Sequence, residues 1–293
     1  MKIGMHVSAA GGIINAVERA HAKGCEVFQF FDRSPRGGKP SYSDEDVVEF
    51  KKLAKEYGLE EYYIHAPYYI NLASSNNRIR HGSIAILREE LEAGTRLGAK
   101  YMMFHMGSGK DYEADANVAN KRNANDANSY NMKAVELVVK GIDEILKGYK
   151  GSCELLIENS AGAGKILGAG FEEIAVILKK IKSKNVGVCY DSCHGFASGY
   201  DMRDKKTVKK TFDEFDKIIG LDKLKLFHLN DSKTDFESHR DRHANIGAGE
   251  IGAKGFEALI NYSKVKNVNA VLETPDVSDE KPLSLNKLLK YKQ

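Results

Sequence analysis

The chain has 293 residues, with 44 Lys+Arg against 41 Asp+Glu, a formal charge of +3 and 42% hydrophobic residues. That apolar content excludes a disordered tail, no apolar run approaches the roughly 20 residues of a membrane helix, and so small a net charge does not announce a nucleic-acid binder. Four cysteines (Cys25, Cys153, Cys189, Cys193) in so long a chain make no disulfide framework and fit a reducing cytoplasm, and the opening MKIGMHVSAAGG has neither a charged leader nor a long apolar stretch, so no signal peptide is expected.

Short β-branched or apolar runs recur along the chain. They are KIGMHVS from Lys2, EVFQFF from Glu26, EYYIHAP from Glu61, YMMFHMG from Tyr101, ELLIEN from Glu154, VGVCYDS from Val186, KLKLFHLND from Lys223 and AVLETP from Ala270. Helical patterns lie between them. SDEDVVEFKKLAKEYG opens on Ser43 with Asp46 three residues on, a capping box with Asp in place of Glu. GSIAILREELEAGTRLG sets Ile84, Leu87, Leu91 and Leu97 at helical spacing and stops at Gly98. Eight strand–helix alternations predict a parallel sheet, and eight is the closure number of a (β/α)8 TIM barrel. With only five prolines and no linker-like stretch, residues 1–293 read as one such domain.

The strand ends carry the chemistry. They fall at His6, Gln29 or Asp32, His65, His105, Glu158, Asp191, His228 and Glu273, so seven of eight runs deliver His, Asp or Glu where the apolar residues give out. Any one of them alone would read as a solvated residue entering a loop; seven together do not. In a barrel these ends converge on the C-terminal face, where active sites of such folds lie. Imidazole with carboxylate, and no thiolate, is ligand chemistry for zinc, iron or manganese. Off the strands, Asp191-Ser-Cys-His194 and Asp241-Arg-His243 supply a further group in which His194, Asp241 and His243 can share an ion. One ion cannot use so many ligands, so two or three are expected, with Glu158 or Asp191 as the candidate bridge. Adjacent ions suit phosphate-ester cleavage.

At this point the residues resemble those of the endonuclease IV (deoxyribonuclease IV) family of apurinic/apyrimidinic endonucleases. The matching stretches run end to end in family order: GMHVSAAGG, HAPYYINLAS, FHMGSG, LLIENSAGAG, GVCYDSCHGFASGYD, HLNDSKTDFESHRDRHANIGAGEIG and LETP. The resemblance implies a single barrel with three divalent ions, usually zinc, with Mn or Fe as alternatives at some sites. Carried over, His65, His105 and Glu158 would hold one ion. Glu158 would bridge to a second held by Asp191, His228 and Glu273, and His194, Asp241 and His243 would hold the third. The implied reaction is hydrolysis of the phosphodiester 5′ to an abasic site, leaving a 3′-hydroxyl and a 5′-deoxyribose phosphate, with trimming of blocked 3′ ends. Glu158 or Glu273 would orient or deprotonate the attacking water. Double-stranded DNA is the implied partner of a monomer, with Arg36 and the pair Tyr68-Tyr69 matching the positions that insert into the duplex. Lys39, Lys110, Arg203, Lys233, Arg240 and Arg242 lie in strand-end loops as phosphate-contact candidates.

Two features depart from the family pattern. Gly37-Gly38-Lys39 stands where an aromatic residue, often Trp, usually follows the arginine, and the chain has no Trp, so a more mobile loop is expected. The segment 111–131 is long, and Asn, Ala and Asp fill 14 of its 21 positions, which marks it as a polar insertion and surface loop.

The remaining histidines, His21 and His81, fall in helical patterns and read as surface residues; His239 precedes the DRH motif as a phosphate candidate, and His6 as a support to a ligand. Cys189 and Cys193 read as buried small hydrophobes, and AGAGKILGAG lacks the GK[ST] ending of a phosphate loop. Two other classes compete: a divalent-metal sugar isomerase or epimerase on a related barrel, and a catalytically dead DNA-binding barrel. An isomerase needs neither the His194–Asp241–His243 set nor the Arg36 and Tyr68-Tyr69 loops, and intact ligand positions leave the dead barrel without support.

Overall fold

The computed structural model describes residues 1–112, 131–278, 280 and 282–292. The insertion expected at 111–131 therefore lies almost wholly outside the described residues, which include only its ends.

Seven of the apolar runs become β1 (Ile3–His6), β2 (Phe28–Phe30), β3 (Tyr62–His65), β4 (Tyr101–Phe104), β5 (Glu154–Glu158), β6 (Val186–Asp191) and β7 (Leu224–His228). The eighth is β10 (Asn269–Leu272). They close a barrel in the order β1-β10-β7-β6-β5-β4-β3-β2. All of these pairs are parallel, and a register shift between Val188 and Cys189 marks the β6–β7 seam. A two-residue ribbon, β8 (Asp231–Ser232) with β9 (His243–Ala244), stands beyond β7 and had no counterpart among the expected strands. Such short strands carry no periodicity to read.

Nine α-helices are described: α1 (Ile14–Ala22), α2 (Asp44–Glu56), α3 (Asn77–Leu97), α4 (Met132–Leu146), α5 (Phe171–Lys180), α6 (Ser192–Ala197), α7 (Lys205–Ile218), α8 (Gly252–Ile260) and α9 (Leu283–Tyr291). The Ser43–Asp46 capping box of α2 forms in both directions, at 3.1 and 2.8 Å. Helix α3 begins five residues before the expected start at Gly82, because Asn76 caps it by accepting from the backbone of Arg78 and Ile79. It ends as expected at Gly98, whose φ of 89° is a left-handed conformation that a side chain resists.

Two cores result. The larger fills the space between strands and helices. The smaller lies inside the barrel and consists of Val27, Tyr63, Tyr101, Met103, Leu156, Cys189, Leu226 and Val271. Alternate residues of a strand share a face, so the residue two places on from each of these also points inward. Counting two from the last lumen residue on seven strands gives Gln29, His65, His105, Glu158, Asp191, His228 and Glu273. The apolar plug is thus roofed by a ring of polar groups at the strand C-termini.

Candidate metal centre

Glu158 sits at the middle of this ring, fully buried. Its Oε2 lies 3.1 Å from His65 Nε2 and 3.4 Å from His105 Nε2; its Oε1 lies 2.9 Å from His228 Nδ1. Glu273 Oε2 is 3.6 Å from the same His228 nitrogen. Potential ligand atoms of Glu158, Asp191, His228 and Glu273 fall within 4.8 Å of one another, as do those of His65, Glu158 and His228.

The second grouping depends on a helix cap. Asp191 ends β6 and caps α6, its Oδ1 accepting from the backbone N–H of His194 at 2.8 Å. The three-residue spacing therefore aims His194 back over the barrel, where its Nε2 lies 3.2 Å from Asp241 Oδ2. The ribbon delivers the rest: His243 Nε2 lies 3.2 Å from Asp241 Oδ1 and 3.7 Å from Asp191 Oδ2. Cys193 is close to Asp191 and His243, but burial pushes its thiol pKa up and the Sγ–H donates to Arg242 O, which keeps it a thiol.

Four imidazoles are oriented from outside. Nδ1 of His65 donates to Ala66 O at 2.6 Å, Nδ1 of His194 to Asn159 O at 3.0 Å, and Nδ1 of His243 to Glu273 O at 3.1 Å. Nε2 of His228 donates to Gln29 Oε1 at 2.8 Å. Each ring thus carries one proton outward and turns its other nitrogen to a carboxylate, the arrangement in which outer partners fix metal-ligating tautomers. A lone pair facing a carboxylate oxygen repels it, so the gap must hold positive charge. Histidine protons are one source: burial opposes them, but Asp191 and Asp241 hold His194 up at about 10, and Asp241 with Asp191 holds His243 at about 9. Burial likewise opposes ionisation of Glu158 and Glu273, yet the surrounding imidazoles keep both carboxyls well below their usual range. Among the described residues no lysine or arginine pairs with Glu158, Asp191, Asp241 or Glu273. His243 Nε2 is a buried nitrogen without a hydrogen-bond partner. A divalent cation fits this donor set: four carboxylates, several imidazoles aimed inward, and no lysine or arginine paired with them.

Residues that the sequence left open or unmarked complete the site. Gln29, not Asp32, belongs to the ring: its Nε2 donates to Glu273 Oε1 at 2.7 Å and lies 2.9 Å from His6 Nδ1. His6 Nδ1 also lies 3.5 Å from Glu273 Oε1. Asn230 Nδ2 donates to Asp191 Oδ2 at 2.6 Å while its Oδ1 accepts from Glu273 N at 2.8 Å. Asp231, fully buried, accepts from the backbone of Gly247, Gly249 and Ile251 at 2.9 to 3.0 Å and pins that loop to the ribbon. Inward parity was the available signal for Gln29; Asn230 and Asp231, past the strand, had none.

Of the candidate DNA-contacting residues, Tyr68 is 61% exposed with its ring 5.5 Å from His65 and 6.2 Å from His105. Tyr69 is also exposed but makes no ring contact with the histidines among the described residues. Arg36 is exposed on the β2–α2 loop. Arg203 is held by Asp201 and lies over the Phe196 and Phe236 rings, while Lys39, Lys110, Lys233, Arg240 and Arg242 are exposed. His21 stacks on Tyr57, and His239 Nδ1 bonds Ala161 O.

The fold and this site define a class. Residues 17–291 match the family model described as Xylose isomerase-like TIM barrel. Within it, the chain is 36% identical over 295 residues to a protein named probable endonuclease 4 from Halothermothrix orenii, covering 99% of both chains. It superposes on endonuclease IV from Thermus thermophilus with a TM-score of 0.84 at 31% identity, covering 99% of this chain and 98% of that one. A D-tagatose 3-epimerase-like protein shares the fold, with a TM-score of 0.71 at 21% identity over 99% and 97%. The chain belongs to the endonuclease IV family.

Proposed function

We propose that this protein is a metal-dependent endonuclease of DNA repair that cuts the phosphodiester 5′ to an abasic site and trims blocked 3′ ends. The observation that carries the reading is the His194–Asp241–His243 set standing beside the ring around Glu158, with His243 also 3.7 Å from Asp191. A sugar isomerase has no use for this extra set. Family membership supports the same reaction class.

His65, His105 and Glu158 would hold one divalent ion, Glu158, Asp191, His228 and Glu273 a second, and His194, Asp241 and His243 a third, with zinc the best match to the donors. Ions held there would lower the pKa of water and offset charge on the phosphate and the departing oxygen. The two catalytic carboxylates divide by access. Glu158 is fully buried with both oxygens facing imidazoles, whereas Glu273 is 12% exposed and reaches the mouth. Glu273 is then the carboxylate better placed to orient the attacking water, and Gln29, bonded to its Oε1, holds it in position. Tyr68, edge-on to Phe31 and beside His65, offers a flat face to a gap in the base stack, and Arg36 a cation to fill it. A monomer leaves the mouth open to duplex DNA.

Metallated protein should incise a duplex oligonucleotide carrying one abasic-site analogue without added magnesium, and Glu158→Gln should abolish incision. Close to three transition-metal ions per chain are expected by elemental analysis. Intact substrate with fully metallated protein would sink the reading, and one or two ions would shift weight to the isomerase.

A further inference from the structure

Outside the metal centre the molecule buries a second ionic cluster, directly beneath the loop that carries Arg36. Asp32 and Arg33, each 5% exposed, follow β2, and Glu90 of α3 is fully buried beside them. The Arg33 guanidinium reaches in two directions. Toward α3, its Nε donates to Glu90 Oε1 and its Nη2 to Glu89 Oε2 at 3.2 Å; toward the loop, its Nη1 donates to Gly38 O at 3.0 Å. Tyr42 OH donates to Asp32 Oδ2 at 3.4 Å, which ties the far end of the loop back to its start. Between these ties the chain turns tightly, with Gly37 N donating to Ser34 O at 3.0 Å and Arg36 N to Ser34 Oγ at 3.2 Å.

Two buried oxygens in this cluster, Asp32 Oδ1 and Glu90 Oε2, have no donor from the chain. The two carboxyl groups are within hydrogen-bond reach of each other, so a proton shared between them satisfies both. Burial and the neighbouring Asp32 push Glu90 up to about 10, so it keeps that proton at neutral pH. The trio Asp32, Glu90 and Arg33 is then neutral, and desolvating it costs far less than burying an unpaired charge.

Gly37 and Gly38, with φ of 120° and 103°, follow Arg36 and bring no side chain of their own to anchor the loop. We propose that Arg33, clamped by Glu90, is a positioning residue for DNA: it fixes the course of residues 34–38 and thereby the reach of Arg36 into the duplex. This rests on the reading of Arg36 as a DNA-inserting residue.

The test is steady-state incision of an abasic duplex by the fully metallated protein. Arg33→Met should raise KM about tenfold with kcat little changed, the mark of lost uniform binding. Glu90→Gln, an isostere of the neutral acid, should stay near the wild-type KM, whereas Glu90→Leu should resemble Arg33→Met. On an Arg36→Ala background, Arg33→Met should add nothing further. An unchanged KM in Arg33→Met with intact metal content, or effects additive with Arg36→Ala, would overturn the clamp. Tryptic cleavage after Arg36 tests it without DNA: Arg33→Met and Glu90→Leu should be cut faster than wild type and Glu90→Gln at the wild-type rate, and equal rates throughout would overturn it. Failure of metallated wild-type protein to cut abasic DNA would instead overturn the functional reading, and the proteolysis still decides the clamp.

Discussion

Gln29 holds two partners at once: its Oε1 accepts from His228 Nε2 while its Nε2 donates to Glu273 Oε1, at 2.8 and 2.7 Å. A single amide therefore sets both the tautomer of one proposed ligand and the rotamer of another. Replacing it by Leu leaves His228 free to flip its proton inward, and outer partners of this kind typically matter about 10–100-fold in metal affinity. Gln29→Leu should thus release metal to a chelator at concentrations that wild type withstands, measured by competition with a chromogenic chelator; equal retention would count against this role. Glu173, at the start of α5, is a different case. It is buried, its Oε2 accepts from Gly168 N at 2.6 Å, and burial raises its pKa to about 7. Its folded-state value lies above the unfolded value of 4.5, so the stability tied to its protonation is fully present below about pH 4.5 and is lost as the pH rises through about 7. The loss is about 3 kcal/mol for a shift of this size. Denaturant titrations of Glu173→Gln should lack that decline between about pH 4.5 and 7; a slope matching wild type would show the carboxyl to be ordinary.

At the scale of elements, the strands do two jobs with one periodicity. Apolar residues at lumen positions plug the barrel, and the next inward position on the same strand presents a polar group, as with Leu156 then Glu158, or Leu226 then His228. This is why the site was so legible. A strand end needs only a count of two from its last lumen residue, and His65, Glu158, Asp191 and His228 are themselves strand residues. Legibility fails where residues leave the ladder. His243 begins a ribbon strand that no pattern announced and Asp241 lies just before it, so that only their spacing in Asp241-Arg-His243, not a strand end, marked them as a pair. Asp32 was a candidate for the ring because both it and Gln29 fall near the end of one run, yet the chain has already turned away at Asp32, toward Glu90. The barrel wall also sets a steric limit. A Cβ on Gly4 of β1 would lie 1.5 Å from the backbone oxygen of Val27, an atom that no rotamer can move. Gly4→Ala should destabilise the protein by about 3 kcal/mol or prevent folding, seen as a lowered Tm or loss of soluble protein. A variant with wild-type Tm would show that the β1–β2 seam yields.

For the molecule as a whole, the question is how four carboxylates are tolerated under one roof. Without cations, their compensation is limited to protons on histidine, and the near-balanced charge of +3 hides a centre that demands positive charge. Divalent ions should therefore stabilise the fold as well as equip it. A single ion at 1,000 times its Kd contributes about 4 kcal/mol. Chelator-treated protein should melt several degrees lower and recover on addition of zinc, by calorimetry; a Tm indifferent to chelation would remove the ions from the account of stability. Filled with cations, the mouth presents less negative charge to phosphate than the residue count implies. No described helix is long and apolar enough to cross a membrane.

The amino-acid sequence by itself determined the eight-fold alternation, the polar strand ends and the residue types gathered there, because each is written in local periodicity and residue chemistry. It also displayed the Asp-x-x-His spacing that Asp191 turns into a helix cap aiming His194 inward. Tertiary structure alone decided that Gln29 joins the ring while Asp32 leaves it, that Asn230 and Asp231 brace the site, and that Arg33 is buried against Glu90 beneath the Arg36 loop. Those outcomes depend on which side chains meet across tens to hundreds of residues; for Gln29 and Glu273 it is closure of the barrel, which curls β1 round to β10, that brings them within bonding distance.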